Sequence, residues 1–191
     1  MATKTTGSTQ IKSRKRVKEH GEVFTAKREV KAMCDLVADA VASPETTVLE
    51  PACGTGNFLA EILERKMQTI CKKLIETEEE RQRAVLAVAS LYGVDIMEDN
   101  VQQTRERLYG IAARYLVHNI HLSHVNDMLR RTLIDCYHVV HYNIQRGDFL
   151  ADNLVFRFWR YDTLPGSQRI SLRCDKITKE EMMQKCSVCK Q

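Results

Sequence analysis

The chain has 191 residues, 43% of them hydrophobic and 28% charged, which suits one compact soluble domain with a real core. No run approaches the ~18 apolar residues of a membrane span. The start Met-Ala-Thr-Lys-Thr-Thr-Gly lacks the apolar core of a signal peptide, so a cytoplasmic protein with no membrane partner is expected.

The net charge of +4 is unevenly placed: within residues 1–19, Lys4, Lys12, Arg14, Lys15, Arg16 and Lys18 face Glu19 alone. The remainder is therefore not basic, and net charge by itself makes no case for nucleic acid. Residues 1–19 read as a mobile basic arm, solvated or grazing phosphates. From Lys27 to Val41, the residues Val30, Met33, Cys34, Val37, Ala40 and Val41 recur at helical spacing, and Ser43-Pro44 ends that helix. Thr47–Glu50 reads as a short buried strand. A glycine turn follows, and Asn57 is placed to cap the next helix. Leu59, Ile62, Leu63, Met67, Ile70 and Leu74 form that helix's apolar stripe.

Residues 76–83 are a charged run, expected to be a solvated face on a further helical turn or a connection. Leu91–Asp95 reads as a second strand ending in an acid. Asp99 then starts a helix that turns Val101, Leu108, Ile111 and Ala112 inward. Residues 118–137 are expected to be helical. Val139–Gln145 is rich in β-formers and leads into Arg146-Gly-Asp-Phe149. A strand at Val155–Trp159, a turn at Pro165-Gly166 and a strand at Arg169–Arg173 complete the pass. Strand–helix–strand alternation implies the α/β class, with a parallel sheet and helices on both faces. The division expected is an arm over 1–19, a ligand-binding domain over 20–160 and an extension over 161–191.

The chemistry concentrates in Val48-Leu-Glu-Pro-Ala-Cys-Gly-Thr-Gly-Asn-Phe58. A glycine turn after a strand lets backbone N–H groups approach a ligand, and the next helix start adds donors. Glu50 at the strand tip would repel a phosphate and favour a ligand with an ammonium or sulfonium charge. A dinucleotide fingerprint would need glycine where Leu59 stands and an acid about 20 residues beyond the glycines. The next acid at a strand end is Asp95, well past that. No G-x-x-x-x-G-K-[ST] run occurs. The favoured ligand is therefore S-adenosylmethionine. The plainer alternative is a tight strand-to-helix turn that binds nothing.

Seven cysteines, an odd number, read as free thiols. Cys186-x-x-Cys189 has only Cys174 nearby and no obvious fourth ligand, so no metal is expected. His118, His121, His124, His138 and His141 read as ordinary packed or surface imidazoles.

Four blocks, His20-Gly-Glu-Val-Phe-Thr25, Leu49-Glu-Pro-Ala-Cys-Gly-Thr-Gly-Asn-Phe-Leu59, Tyr92-Gly-Val-Asp-Ile96 and Asn143-Ile-Gln-Arg-Gly-Asp-Phe-Leu150, stand in the order found in a known family. Over about residues 20–150 the chain resembles the amino-terminal half of S-adenosylmethionine-dependent DNA adenine-N6 methyltransferases of restriction–modification type. The resemblance implies a Rossmann-like class I methyltransferase, a doubly wound, mostly parallel sheet truncated before its catalytic strand. It also implies roles. Glu22, Phe24 and Thr25 match the segment covering the methionine end of the cofactor, with Ala26 where relatives often have proline. Glu50, Pro51, Cys53, Gly54, Gly56 and Phe58 match the glycine motif, with Glu50 toward the α-amino group. Asp95 matches the acid that accepts both ribose hydroxyls, and Ile96 lies against the adenine. Asp148 matches the acceptor for the cofactor's exocyclic amino group, with Phe149 beside the ring. The plainer alternatives are core packing for Phe24 and Phe149, and capping for Asp95 and Asp148.

The family's reaction centre, Asn/Asp-Pro-Pro-Tyr/Phe, does not occur: Pro44, Pro51 and Pro165 are the only prolines. Tyr161–Gly166 reads as a turn, not as that loop. No catalytic residue is assigned, and no separate DNA-reading region is evident. Two roles follow as expectations: the cofactor-binding part of an adenine-N6 enzyme, or a degenerate, non-catalytic binding or regulatory subunit. DNA is the expected partner in the first case. An open sheet edge and uncovered apolar surface are also expected, with a complementing methyltransferase chain or a second copy covering them.

Overall fold

A computed structural model describes residues 11–120, 125–163 and 170–186. Its first helix, α1 (Arg14–His20), is capped by Ser13, whose hydroxyl accepts the Arg16 amide. The mobile arm expected over 1–19 is thus corrected from residue 11 onward. Lys12 and Arg16 are held by ion pairs to Asp99 and Glu22, because an acidic helix start offers these cations partners that water alone would not.

The single helix expected over 27–41 is two, α2 (Lys27–Asp35) and α3 (Ala38–Ala42). The chain breaks between them where Val37 leaves helical geometry and the Leu36 amide turns back to the Met33 carbonyl. Val30, Cys34 and Val41 are buried, while Met33 is half exposed.

Three parallel strands form the sheet in the order β1 (Val48–Glu50), β2 (Leu91–Asp95), β3 (Ile144–Arg146). Pairing of Val48 with Leu91 and of Gly93 with Ile144 fixes which residues share a face. Val48, Leu91 and Ile144 join the core built by α4 (Asn57–Ile70), α5 (Glu78–Ala89), α6 (Glu98–Asn119) and α7 (Arg130–Asn143). Leu49, Tyr92 and Val94, on alternate positions, enter a second core. That core is completed by an antiparallel hairpin, β4 (Val155–Thr163) and β5 (Ile170–Thr178), and by α8 (Lys179–Lys185).

The α/β class and the parallel sheet agree with expectation; one face of the described strands carries α4 to α7, and the other carries the hairpin and α8. Strands laid down in one direction with right-handed crossovers place their crossover helices on the same side. The other side is left to the hairpin and α8. Among the described residues β1 and β3 each pair with β2 alone, so both outer edges of the three-stranded sheet are unpaired there. Leu36 and Leu150 are largely exposed, and no described helix is long and apolar enough to cross a membrane.

Other expectations shift for physical reasons. The charged run at 76–83 opens α5. Thr77 and Glu80 form a reciprocal capping box, and Arg81 and Gln82 are buried. The helix expected over 118–137 is interrupted, because α6 ends at Asn119; a π-helical turn at Val125–Leu129 then leads into α7. α7 runs on through Asn143, so the β-formers Val139 and Val140 serve as buried helix residues and only Ile144–Arg146 is strand. Asn57 is not the cap of α4; Gly56 holds that position. Leu74 lies beyond α4 and is exposed. The hairpin is longer than expected, with Tyr161–Thr163 in β4, and the Pro165-Gly166 turn, His121, His124 and Cys189 fall outside the described residues.

Candidate functional site

The carboxyl ends of β1, β2 and β3 open onto a cavity of about 390 Å³. From four separated blocks it collects Glu22, Phe24, Thr25, Glu50, Pro51, Cys53, Gly54, Phe58, Asp95, Ile96, Asp148 and Phe149. Gly56 is the one anticipated residue that does not line it. It starts α4 with φ of 75° in the left-handed region, and a Cβ there would meet Thr104 Cγ2 at 2.8 Å. Its part is therefore the shape of the turn.

That turn is fastened on several sides. The Cys53 amide donates to the Val94 carbonyl at 2.9 Å, and the Gly54 amide donates to Asp95 Oδ2 at 2.9 Å. The Thr104 hydroxyl donates to the Gly54 carbonyl at 3.0 Å, and Arg107 Nη1 to the Thr55 carbonyl at 3.0 Å. Asn57 Nδ2 reaches the Thr25 carbonyl at 3.0 Å, joining the segment before α2 to the start of α4. Gly54 itself has φ of 52°, and a Cβ there would stand 3.2 Å from the Phe24 ring, so the turn faces the cavity without a side chain.

Glu50 is half-buried and has no cationic partner among the described residues. Burial pushes its carboxyl up from the usual range, against a weaker opposing pull from the Ala52 amide. The same burial, with Asp95 and Glu50 nearby, pushes the Cys53 thiol up to about 12, so it stays protonated and is no nucleophile at neutral pH. Asp95 is engaged at both oxygens: Oδ1 accepts the Met97 amide at 2.9 Å and Asn100 Nδ2 at 3.1 Å, and Oδ2 accepts Gly54. Asp148 Oδ1 accepts the Leu150 amide at 2.9 Å and the Ala151 amide at 3.3 Å, leaving Oδ2 without a partner among the described residues. Both acids therefore do the capping work of their plainer alternatives while facing the cavity. Phe149 is partly buried, and Lys179 Nζ donates to its carbonyl at 2.9 Å, so α8 pins this rim.

Glu22 lines the cavity from the segment ahead of α2. Its Oε1 accepts Arg16 Nη2 at 2.6 Å and Asn100 Nδ2 at 2.7 Å, whereas Oε2, like Arg16 Nε, is buried with no partner among the described residues. Sequence reasoning missed Asn100, which lines the cavity from the first turn of α6, and Arg16 behind Glu22. Neither belongs to a motif; the only signal was the acidic start of α6 beside an unmatched basic segment.

As a whole the cavity is acidic and offers bare backbone, three aromatic rings and carboxylates at or just past three strand ends. It suits a cationic ligand with hydroxyl or amino donors and a flat ring. Among the described residues, no three His, Cys, Asp or Glu side chains converge as metal ligands.

No curated protein and no solved structure matches the chain. A family model described as N-6 DNA methylase does match it, over residues 10–171, and the chain belongs to that family of DNA N6-methyltransferases.

Proposed function

We propose that the cavity binds S-adenosylmethionine and that the chain is the cofactor-binding portion of an adenine-N6 DNA methyltransferase. The carrying observation is that blocks far apart in sequence converge on one cavity whose half-buried carboxylate, Glu50, has no cationic partner among the described residues. Two further features support the fit: Gly54 presents bare backbone where a Cβ would crowd the Phe24 ring at 3.2 Å, and Glu22 Oε2 is a buried acceptor with no partner among the described residues. When bound, the cofactor supplies an electrophilic methyl group on a sulfonium.

The chain's residues divide the remaining work. Glu50 offsets the α-amino charge, and the Gly54 turn lets the ligand lie against backbone. Asp95 keeps the turn fixed and offers its remaining lone pairs to the ribose hydroxyls. Ile96 and Phe149 sandwich the adenine, and the free Oδ2 of Asp148 accepts its amino hydrogens. Phe24 and Thr25 close the methionine end. On this reading the three described strands are one half of a Rossmann-like methyltransferase sheet, and the protein acts on DNA in the cytoplasm as part of a modification system.

Adenine's exocyclic nitrogen is a poor nucleophile, since its lone pair is delocalised into the ring, and flipping the base costs a few kcal/mol. A loop of the Asn-Pro-Pro-Tyr kind answers both needs, and this sequence has no adjacent prolines. On this reading the groups that hold the target adenine lie outside these residues, either in further chain of the same enzyme or in a second polypeptide, and the edges of the sheet that are unpaired among the described residues are where such a part would dock. The missing loop equally favours a second reading, a binding or regulatory subunit that methylates nothing.

Calorimetric titration of the full chain with S-adenosylmethionine tests the first claim; no heat at millimolar cofactor in folded protein would overturn it. Tritium transfer to DNA, with an added chain carrying Asn-Pro-Pro-Tyr, separates the two readings. Incorporation supports a split enzyme, and persistent silence supports the regulatory subunit.

A further inference from the structure

The basic segment ahead of the cavity makes contacts that no sequence block accounts for. Lys12 Nζ donates to Asp99 Oδ2 at 2.8 Å and to Asn100 Oδ1 at 2.7 Å. Arg16 Nη1 donates to the same Asp99 oxygen at 2.7 Å, and its Nη2 to Glu22 Oε1 at 2.6 Å. Asn100 Nδ2 then bridges Glu22 Oε1 and Asp95 Oδ1. A continuous line of hydrogen bonds thus runs from α1, through Glu22 and Asn100, to Asp95 and the glycine turn.

Burial gives this line consequence. The Glu22 side chain is 9% exposed and that of Arg16 17%, so their pairing is poorly screened by solvent. Glu22 shares Arg16 with Asp99 and Asn100 with Asp95, so without the guanidinium it would face those carboxylates uncompensated. The planar fork of Arg16 serves two carboxylates at once, which the single ammonium of a lysine does only as a point charge.

We propose that Arg16 is a positioning residue for the cofactor cavity, holding Glu22 against Asn100 so that the Glu22 side chain keeps its place in the cavity wall and Asn100 keeps its bond to Asp95. This rests on the reading of the cavity as an S-adenosylmethionine site. Residues 11–25 then act as a strap: α1 is clamped to the start of α6, and the strap's far end, Glu22 to Thr25, forms one wall of the cavity. Lys12 reinforces the clamp and lies 5.9 Å over the Phe24 ring.

The experiment is calorimetric titration of the full chain with S-adenosylmethionine for the wild type, Arg16→Gln, Arg16→Lys, Glu22→Gln, Asp99→Asn and the Arg16→Gln/Glu22→Gln double variant. Arg16→Gln is expected to weaken binding by roughly tenfold, the scale of one charge-assisted contact. Arg16→Lys should recover little of it. Asp99→Asn disturbs the same clamp but leaves the Arg16–Glu22 pair, and should cost less than about threefold; a merely structural role for α1 would move both alike. The double variant should bind no worse than the weaker single one. Hydrogen exchange adds a readout independent of affinity: in Arg16→Gln, amides of residues 22–25 should exchange faster while those of α4 stay protected. Binding within twofold of the wild type in Arg16→Gln, or single effects that multiply in the double variant, would overturn the proposal while leaving the cofactor reading intact. A wild type that binds nothing would sink both.

Discussion

Asp95 Oδ2 accepts the Gly54 amide at 2.9 Å, which ties the tip of β2 to the turn that follows β1. The tie orders the cavity before any ligand arrives, so the turn does not have to be organised at the moment of binding.

Asp95→Ala should therefore destabilise the ligand-free protein. It strands three donors, from Gly54, Met97 and Asn100, and the expected loss is about 2 to 3 kcal/mol in urea unfolding. Asp95→Asn keeps one acceptor oxygen and should lose less. An alanine variant that unfolds with the wild type would show that the tie contributes nothing to folding.

Glu50→Gln should act in the opposite sense. Burial raises the Glu50 carboxyl above its unfolded value, so over that interval the folded state holds more protons than the unfolded one. Stability then falls as pH rises through the interval, and the penalty is complete above it. The glutamine variant should melt higher than the wild type at pH 7 to 8, with the gap closing toward pH 4, while its affinity for S-adenosylmethionine drops. Equal melting temperatures across that series would contradict the burial cost.

Lys66 carries the converse prediction. It is fully buried, with Nζ donating to the Thr46 carbonyl at 2.5 Å, Ser90 Oγ at 2.6 Å and the Pro44 carbonyl at 3.3 Å. Burial lowers the ammonium to about 7. Above that pH the unfolded chain binds the extra proton, so stability should rise with pH toward the ordinary lysine range, by no more than about 1.4 kcal/mol per unit. Lys66→Met should be less stable, because it leaves those acceptors bare, and its stability should be flatter across pH 7 to 9. Parallel wild-type and variant curves would rule out Lys66 as the titrating group.

Glu50, the glycine turn and Asp95 were legible in the sequence because each is a local pattern, an acid at a strand tip or a glycine pair before a helix. Arg16 and Asn100 were not, since their contacts join residues 83 and 78 positions apart and no periodicity encodes that. Asn57 shows a local rule overridden. Its side chain leaves the cap to bridge Thr25 and Arg107, and the glycine before it takes the cap position. Thr77 and Glu80 spelled a helix start that the surrounding charge run obscured. Val139 and Val140 read as strand by type, yet with Cys136 and Asn143 they lie at helical spacing, and burial on α7 decided the matter.

Gly56→Ala should cost more than helix propensity alone would suggest. The substitution adds left-handed strain of order 1 kcal/mol to a contact of 2.8 Å with Thr104 Cγ2. Thr104→Ser removes that methyl while keeping the hydroxyl that holds the Gly54 carbonyl, and in combination it should recover the steric part of the loss. If the double variant were no more stable than Gly56→Ala, the contact would not be the cause.

Trp159 is the chain's only tryptophan, and its indole N–H donates to Asn143 Oδ1 at 2.6 Å. Asn143 in turn donates to the Ala89 and Leu91 carbonyls at 2.9 and 3.0 Å, so one buried amide joins the hairpin to the helix–strand junction before β2. The Tyr92 hydroxyl adds a second fastening, donating to the Arg157 carbonyl at 3.1 Å. Asn143→Leu leaves the indole N–H and two carbonyls without partners, and should cost about 2 to 4 kcal/mol. Tyr92→Phe deletes one hydroxyl and should cost about 1 kcal/mol. Because no other indole contributes, fluorescence reads hairpin docking directly: Asn143→Leu should shift the emission to the red while far-ultraviolet circular dichroism holds. If emission stays unshifted in a variant of lowered stability, the hairpin docks through its apolar face of Phe156 and Ile177 and the Tyr92 hydroxyl, and Asn143 serves only the helix–strand junction.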